Sequence, residues 1–282
     1  SNTVDIVASS CFAGALSLTG GVNSTELPYK SKTNVNSIQQ IQTGGIFNER
    51  GGAAQTAFNQ LKNSQFYDFD GGFKLAYVQT TSGTNLPYTV NNTMMRVDLP
   101  TPLRQGQKFS FKIKWWYNIN NHVEQGGRSG FEHFPADGNN SYVIAQFFPR
   151  LCVYNNVEGW QNMQFWGSSE FALEFGDFDV SITTPKDFIL NGTGVIQNPK
   201  DVLSKKQYER YQEAQLTYDN PVFIVTPEEA TEAGKGKEKG TKTWKLRAEN
   251  VRDFAFAASR RYMWDAMAVK LNDKTVMAYS LY

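Results

Sequence analysis

The stretch Lys108-Phe109-Ser110-Phe111-Lys112-Ile113-Lys114-Trp115-Trp116-Tyr117 alternates with a period of two. Phe109, Phe111, Ile113, Trp115 and Tyr117 fall on one side, and Lys108, Ser110, Lys112, Lys114 and Trp116 on the other. A strand sends successive side chains to opposite faces, so the pattern predicts a β-strand buried on one side and wet on the other. The same rule makes Trp115 a core residue and Trp116 a single outward ring. Shorter runs of the same kind occur at Phe73, Leu75 and Tyr77, at Met95, Val97 and Leu99, at Phe178, Val180 and Ile182, and at Trp244, Leu246 and Ala248. Between them stand turn-forming Gly71-Gly72, Leu99-Pro100, Gly138-Asn139-Asn140, Asn191-Gly192 and Asn198-Pro199. The predicted fold class is therefore mainly β, an antiparallel sheet protein with meander or Greek-key order rather than βαβ units.

Helical signals are confined to a small insertion near residues 199–233. Ser204-Lys205-Lys206-Gln207 fits a capping box that opens a helix over Lys205 to Gln215. Thr226-Pro227-Glu228-Glu229 fits a second, with proline at the first helical position. The Gly- and Lys-rich segment Gly234 to Lys242 reads as an exposed hairpin tip. Residues 1–65 are rich in Asn, Gln, Ser, Thr and Gly and are the least legible part of the same domain; residues 66–282 carry the strand pattern.

With 40% hydrophobic and 20% charged residues the chain is globular in composition. A formal charge of +1 gives no overall reason to expect nucleic acid or an anionic membrane as partner. No apolar run approaches the roughly 18 residues of a membrane span. There is no Lys or Arg before Lys30, hence no basic n-region; any export signal is expected to have been removed or never present. Cys11 and Cys152 are too isolated to define a disulfide framework or a zinc pair.

Only two histidines, His122 and His133, are available for chemistry. With Glu124 and Glu132 they offer a superficial metal set. The two are separated by a loop holding Gly126, Gly127 and Gly130, not set four apart on one helical face, so the expectation is a solvated or cleft-lining loop without metal. Glu170, Glu174, Asp177 and Asp179 invite a glycosidase reading. On a strand, Glu170 and Glu174 would stand about 13 Å apart at roughly 3.3 Å per residue, beyond the ~5 to 9.5 Å that paired-carboxylate hydrolysis uses. Gly127-Arg128-Ser129-Gly130 is one residue short of a nucleophile elbow. No self-contained catalytic set emerges.

Four blocks carry a resemblance. They are Ala145-Gln-Phe-Phe-Pro-Arg-Leu-Cys-Val-Tyr-Asn-Asn-Val-Glu-Gly-Trp-Gln161; Glu170 to Thr184, with Gly-Asp-Phe-Asp-Val-Ser-Ile-Thr; Thr193-Gly-Val-Ile-Gln-Asn-Pro199; and Trp244-Lys-Leu-Arg-Ala-Glu-Asn-Val-Arg-Asp-Phe-Ala-Phe-Ala257. In this order they resemble the N-terminal β domain of aminopeptidase-N-type zinc metallopeptidases, the gluzincin family M-one, especially a bacterial branch. The resemblance implies a saddle-shaped antiparallel β domain that packs on a thermolysin-like catalytic domain bearing His-Glu-x-x-His and a downstream glutamate. This sequence has no His-Glu-x-x-His, and it stops about where that catalytic domain would begin.

The expectation is accordingly a noncatalytic domain with no catalytic residue, no metal ligand and no cofactor of its own; zinc is expected in the missing catalytic domain. The implied partners are that C-terminal domain and a peptide substrate, with no nucleic acid and no membrane span in this chain. The implied compartment is periplasmic or extracellular. In the family, a glutamine of the first block contacts substrate near its amino-terminal residue; Gln146 is the matching position here. Phe147 and Phe148 supply wall or core, and Trp160, Glu158 and Asp253 are expected to be architectural. An alternative is a stand-alone β-rich module that binds carbohydrate or protein through exposed aromatics.

Overall fold

Strands whose apolar positions recur every second residue pair edge to edge and so gather those side chains on one face of a sheet, and every strand pairing among the described residues is antiparallel. The computed structural model describes residues 2–9, 15–19, 72–91, 94–104, 106–125, 129–157, 159–161, 173–236 and 238–282; at 2–9, 15–19, 91, 124 and 125 it describes the backbone alone. The elements begin with β1 (Asn2–Ser9), β2 (Ala15–Thr19), β3 (Lys74–Thr80), β4 (Tyr88–Asn91), β5 (Met94–Asp98) and β6 (Lys108–Trp116). Next come α1 (His122–Gln125), β7 (Gly130–Phe134), β8 (Asn139–Ile144), β9 (Arg150–Leu151), β10 (Tyr154–Asn155), β11 (Gly159–Trp160) and β12 (Gly176–Pro185). Then follow β13 (Ile189–Gly192), β14 (Val195–Ile196), α2 (Pro199–Val202), α3 (Lys205–Ala214), β15 (Val222–Val225) and α4 (Pro227–Lys235). The chain closes with β16 (Thr241–Val251), β17 (Phe256–Ser259), β18 (Trp264–Leu271) and β19 (Lys274–Leu281). Among the described residues no helix is long and apolar enough to cross a membrane.

The chain divides into two compact units, residues 1–129 with 145–174, and residues 130–144 with 175–282. The first holds sheets ordered β1-β6-β3 and β4-β5-β2-β9 and the small pair β10-β11. Its central strand β6 behaves as its alternation predicts: Phe111, Ile113 and Trp115 are fully or almost fully buried, while Trp116 is 52% exposed. Met95 and Val97 of β5 are likewise core. In β3 the buried residue is Val78, not the Phe73, Leu75, Tyr77 set that strict alternation marks. A bulge between Leu75 and Tyr77 lets Val78 pair with Ile113, and an inserted residue reverses the face of all that follow it.

The second unit holds sheets β13-β17-β8-β7, β12-β16-β14 and β15-β18-β19. Strand β12 alternates outward and inward along almost its whole length, and Phe178, Val180 and Ile182 stand opposite Ala248, Leu246 and Trp244. Both anticipated helix starts are present. Ser204 and Gln207 close a capping box on α3, and Thr226 and Glu229 close another on α4 with Pro227 in its first turn. Glu229 serves twice, because Arg210 of α3 grips both of its oxygens at 2.9 and 2.5 Å. Tyr211 of α3 lies against Trp264 of β18 with ring centroids 5.8 Å apart, so this helix covers one face of the last sheet.

The Gly234 to Lys242 segment is not a hairpin tip. Helix α4 runs through Gly234 to Lys235, and β16 begins at Thr241. A Cβ at Gly234 would meet the Arg261 side chain, which would have to shift to admit it.

Candidate functional site

Gln146 lies just past the end of β8, at a bend rather than within a strand. Its backbone is left-handed, at φ 54°, a conformation that costs a residue with a Cβ roughly 1 to 2 kcal/mol. The residues on both sides are tied down. Ser129 Oγ donates to Ala145 O at 3.2 Å and accepts from Ala145 N at 3.0 Å. On the other side Trp115, buried by the alternation of β6, donates Nε1–H to Phe147 O at 3.0 Å. Phe147 and Phe148 meet edge to face at 5.1 Å, and Phe148 is core. The strain is thus imposed by anchors at positions 145 and 147, which over-determine the bend between them.

The Gln146 side chain is half-buried, and its amide has no hydrogen-bond partner among the described residues. A carboxamide both donates and accepts, so in this setting it can meet one donor and one acceptor of a peptide-like ligand. Just downstream the chain enters β9, where Arg150 pairs with Thr19, and directly after it the fully buried Cys152 forms a backbone β-bridge with Leu173.

The other sequence candidates are scattered, and several of them are held in structural contacts. His122 and Glu124 belong to α1 in the first unit, whereas Glu132 and His133 are consecutive residues of β7 in the second, where neighbours on a strand point to opposite faces. His133 Nδ1 lies 2.7 Å from Asn140 Oδ1. Among the described residues no three of His, Cys, Asp and Glu converge. Asp177 and Asp179 stand on the exposed face of β12 and, with Glu249, surround the Arg247 guanidinium at 4.0, 2.6 and 2.9 Å. Glu170 lies outside the described residues, as do Glu158, Gly127 and Arg128. Ser129, with both backbone groups of Ala145 on its hydroxyl, is a structural anchor. Trp160 packs against Tyr154 at 5.3 Å, and Asp253 accepts from Phe254 N at 2.8 Å.

One unusual group was not singled out in the sequence. Lys242 shares the inward face of β16 with Trp244 and Leu246, opposite Thr184. Its Nζ donates to Val202 O at 3.0 Å and sits 4.8 Å from the Trp244 ring centroid. Burial pushes its pKa down to about 8. The signal was present in the even-numbered positions of the Trp244, Leu246, Ala248 run, which extend back to Lys242.

No protein-family model matches the chain, and no curated protein matches it. Among solved structures it is similar to an M1 zinc metallopeptidase from Deinococcus radiodurans, with 12% identity, a TM-score of 0.39, and coverage of 76% of this chain and 38% of that one. A mutant of that enzyme bound to a Tyr-Ser-Ala substrate matches with 12% identity and a TM-score of 0.40 over 76% of this chain and 38% of its own. A two-domain M1 zinc metallopeptidase mutant bound to L-tryptophan matches with 12% identity and a TM-score of 0.39 over 76% and 39%. The chain thus spans 38 to 39% of the length of these structures.

Proposed function

We propose that this chain is a noncatalytic β domain of a zinc aminopeptidase-like metallopeptidase, that it packs on a catalytic domain, and that Gln146 faces the amino-terminal residue of a bound peptide. The observation that carries the proposal is the bend at Gln146: a carboxamide held in left-handed backbone between two anchored neighbours, with its own hydrogen-bonding capacity unspent. The four sequence blocks and the antiparallel architecture support the same reading. Zinc, expected on the catalytic domain, would polarise the scissile carbonyl and activate water. The residues of this chain orient and enclose; Gln146 would donate to a substrate carbonyl or accept from its amine. A bacterial source and a periplasmic or extracellular setting belong to the same proposal.

The full-length gene product tests it. Its reading frame should encode His-Glu-x-x-His after Tyr282, and Gln146→Ala should weaken peptide turnover with little effect on folding. A stop codon directly after Tyr282 would favour the second reading, a stand-alone carbohydrate- or protein-binding module. The observation on that side is the outward indole of Trp116.

A further inference from the structure

The near-zero overall charge conceals an uneven distribution. From Gly72 to Trp116 basic residues recur from Lys74 through Arg96 and Arg104 to Lys114, and Asp98 is the only acidic residue. Asp98 already pairs with Arg96 at 3.0 Å. Strand alternation gathers Lys108, Lys112 and Lys114 on the outward face of β6, in line with the exposed ring of Trp116. Successive members at Lys112, Lys114 and Trp116 are spaced about 7 Å apart along the strand, and the row from Lys108 to Trp116 is about 27 Å long. Strand β3 adds Lys74 beside Trp116, with Nζ 5.5 Å from the ring centroid. None of Lys108, Lys112 and Lys114 has a carboxylate partner among the described residues; Lys112 Nζ reaches only Thr81 O, at 3.5 Å. On β1, Asp5 takes the register position opposite Lys112, a single acidic position against this row.

We infer that the outward face of β6 is a binding surface for an extended anionic polysaccharide, its lysines meeting uronate carboxylates and Trp116 stacking on a sugar ring. Charge complementarity calls for a polyanion. Lysine ammoniums are point charges without the planar fork of arginine, so they set charge spacing and leave anion orientation free. Sites for single-stranded nucleic acid stack successive bases on several rings, whereas this row ends in one exposed ring. A sheet face with one ring and a line of charges suits a chain that offers repeated carboxylates and an occasional apolar sugar face. The inference is independent of the peptidase reading, because it uses no residue of the Gln146 site.

The test is titration of the 282-residue chain with oligogalacturonate, with a neutral glucan of equal length and oligothymidylate as comparisons. Oligogalacturonate should bind at low salt and weaken steeply as salt is added. Lys112→Gln with Lys114→Gln should lower affinity about tenfold and flatten the salt dependence. Trp116→Ser should lower affinity about tenfold without flattening it. Lys205→Gln with Lys206→Gln on α3 should change nothing, and circular dichroism of all the variants should match the wild type. No binding at low salt, binding unaffected by the β6 lysines, equal binding of the neutral glucan, or equal or tighter binding of oligothymidylate would each overturn the inference.

Discussion

Replacing Lys242 with Met should remove an alkaline pH dependence from the stability of the protein. The lysine points inward beside Trp244 and Leu246, and burial lowers its pKa from 10.5 to about 8. The native state therefore disfavours the ammonium, and between pH 8 and 10.5 the unfolded chain binds more protons than the folded one. By linkage, stability rises with pH through that window; the penalty is complete below pH 8 and is relieved on the way to 10.5. The gap corresponds to roughly 3 kcal/mol. Partial exposure of the side chain and attraction of the ammonium to the indole face reduce this to about 1 to 2 kcal/mol. Methionine keeps the unbranched length without the charge. In urea titrations at about pH 7, 8.5 and 10, the wild type should gain about 1 to 2 kcal/mol on Lys242→Met from the lowest pH to the highest, other titrating groups cancelling in the difference. A difference that stays flat, or a wild type that loses ground as pH rises, would refute the desolvation argument.

Three further outcomes follow from the packing. Gly194→Ala should destabilise by about 3 kcal/mol or more in thermal or urea unfolding, because φ is +89° and a Cβ would run into the Arg247 carbonyl. Glu229→Gln should cost about 1 to 2 kcal/mol at neutral pH, since it weakens both the Arg210 fork and the α4 cap at a partly exposed position. Arg210 holds the Glu229 carboxyl below its ordinary pKa, so the stabilisation is full above that ordinary value and disappears as pH falls through the lowered one; the deficit of the Gln variant should shrink on acidification. Trp115→Phe removes the bond to Phe147 O and should cost about 1 to 3 kcal/mol while increasing hydrogen exchange around Gln146.

What was legible in the sequence is what depends on short-range rules. The face pattern of β6 needs only period-two alternation, and both capping boxes are closed by bonds spanning three residues, so each could be read locally. The bulge in β3 could not, because it is set by pairing with β6 across the sheet. At Gly234 to Lys242 composition points to an exposed hairpin tip; Lys235, Gly236, Glu238, Lys239 and Gly240 are exposed, but they join the end of α4 to β16 rather than two strands. Gln146 is a candidate only through its sequence block; its left-handed bend was not legible, since nothing in the residue type favours positive φ. That conformation comes from tertiary anchors at Ser129 and Trp115, well separated from it along the chain.

The most direct measurement compares turnover of an amino-acid anilide by the full-length gene product with Gln146 and with Gln146→Ala. The account predicts chelator-sensitive hydrolysis whose kcat/KM falls about tenfold in the variant, in line with loss of one substrate hydrogen bond, while the unfolding midpoint is unchanged. Hydrolysis with equal kcat/KM in both proteins, or none in the wild type, would contradict it.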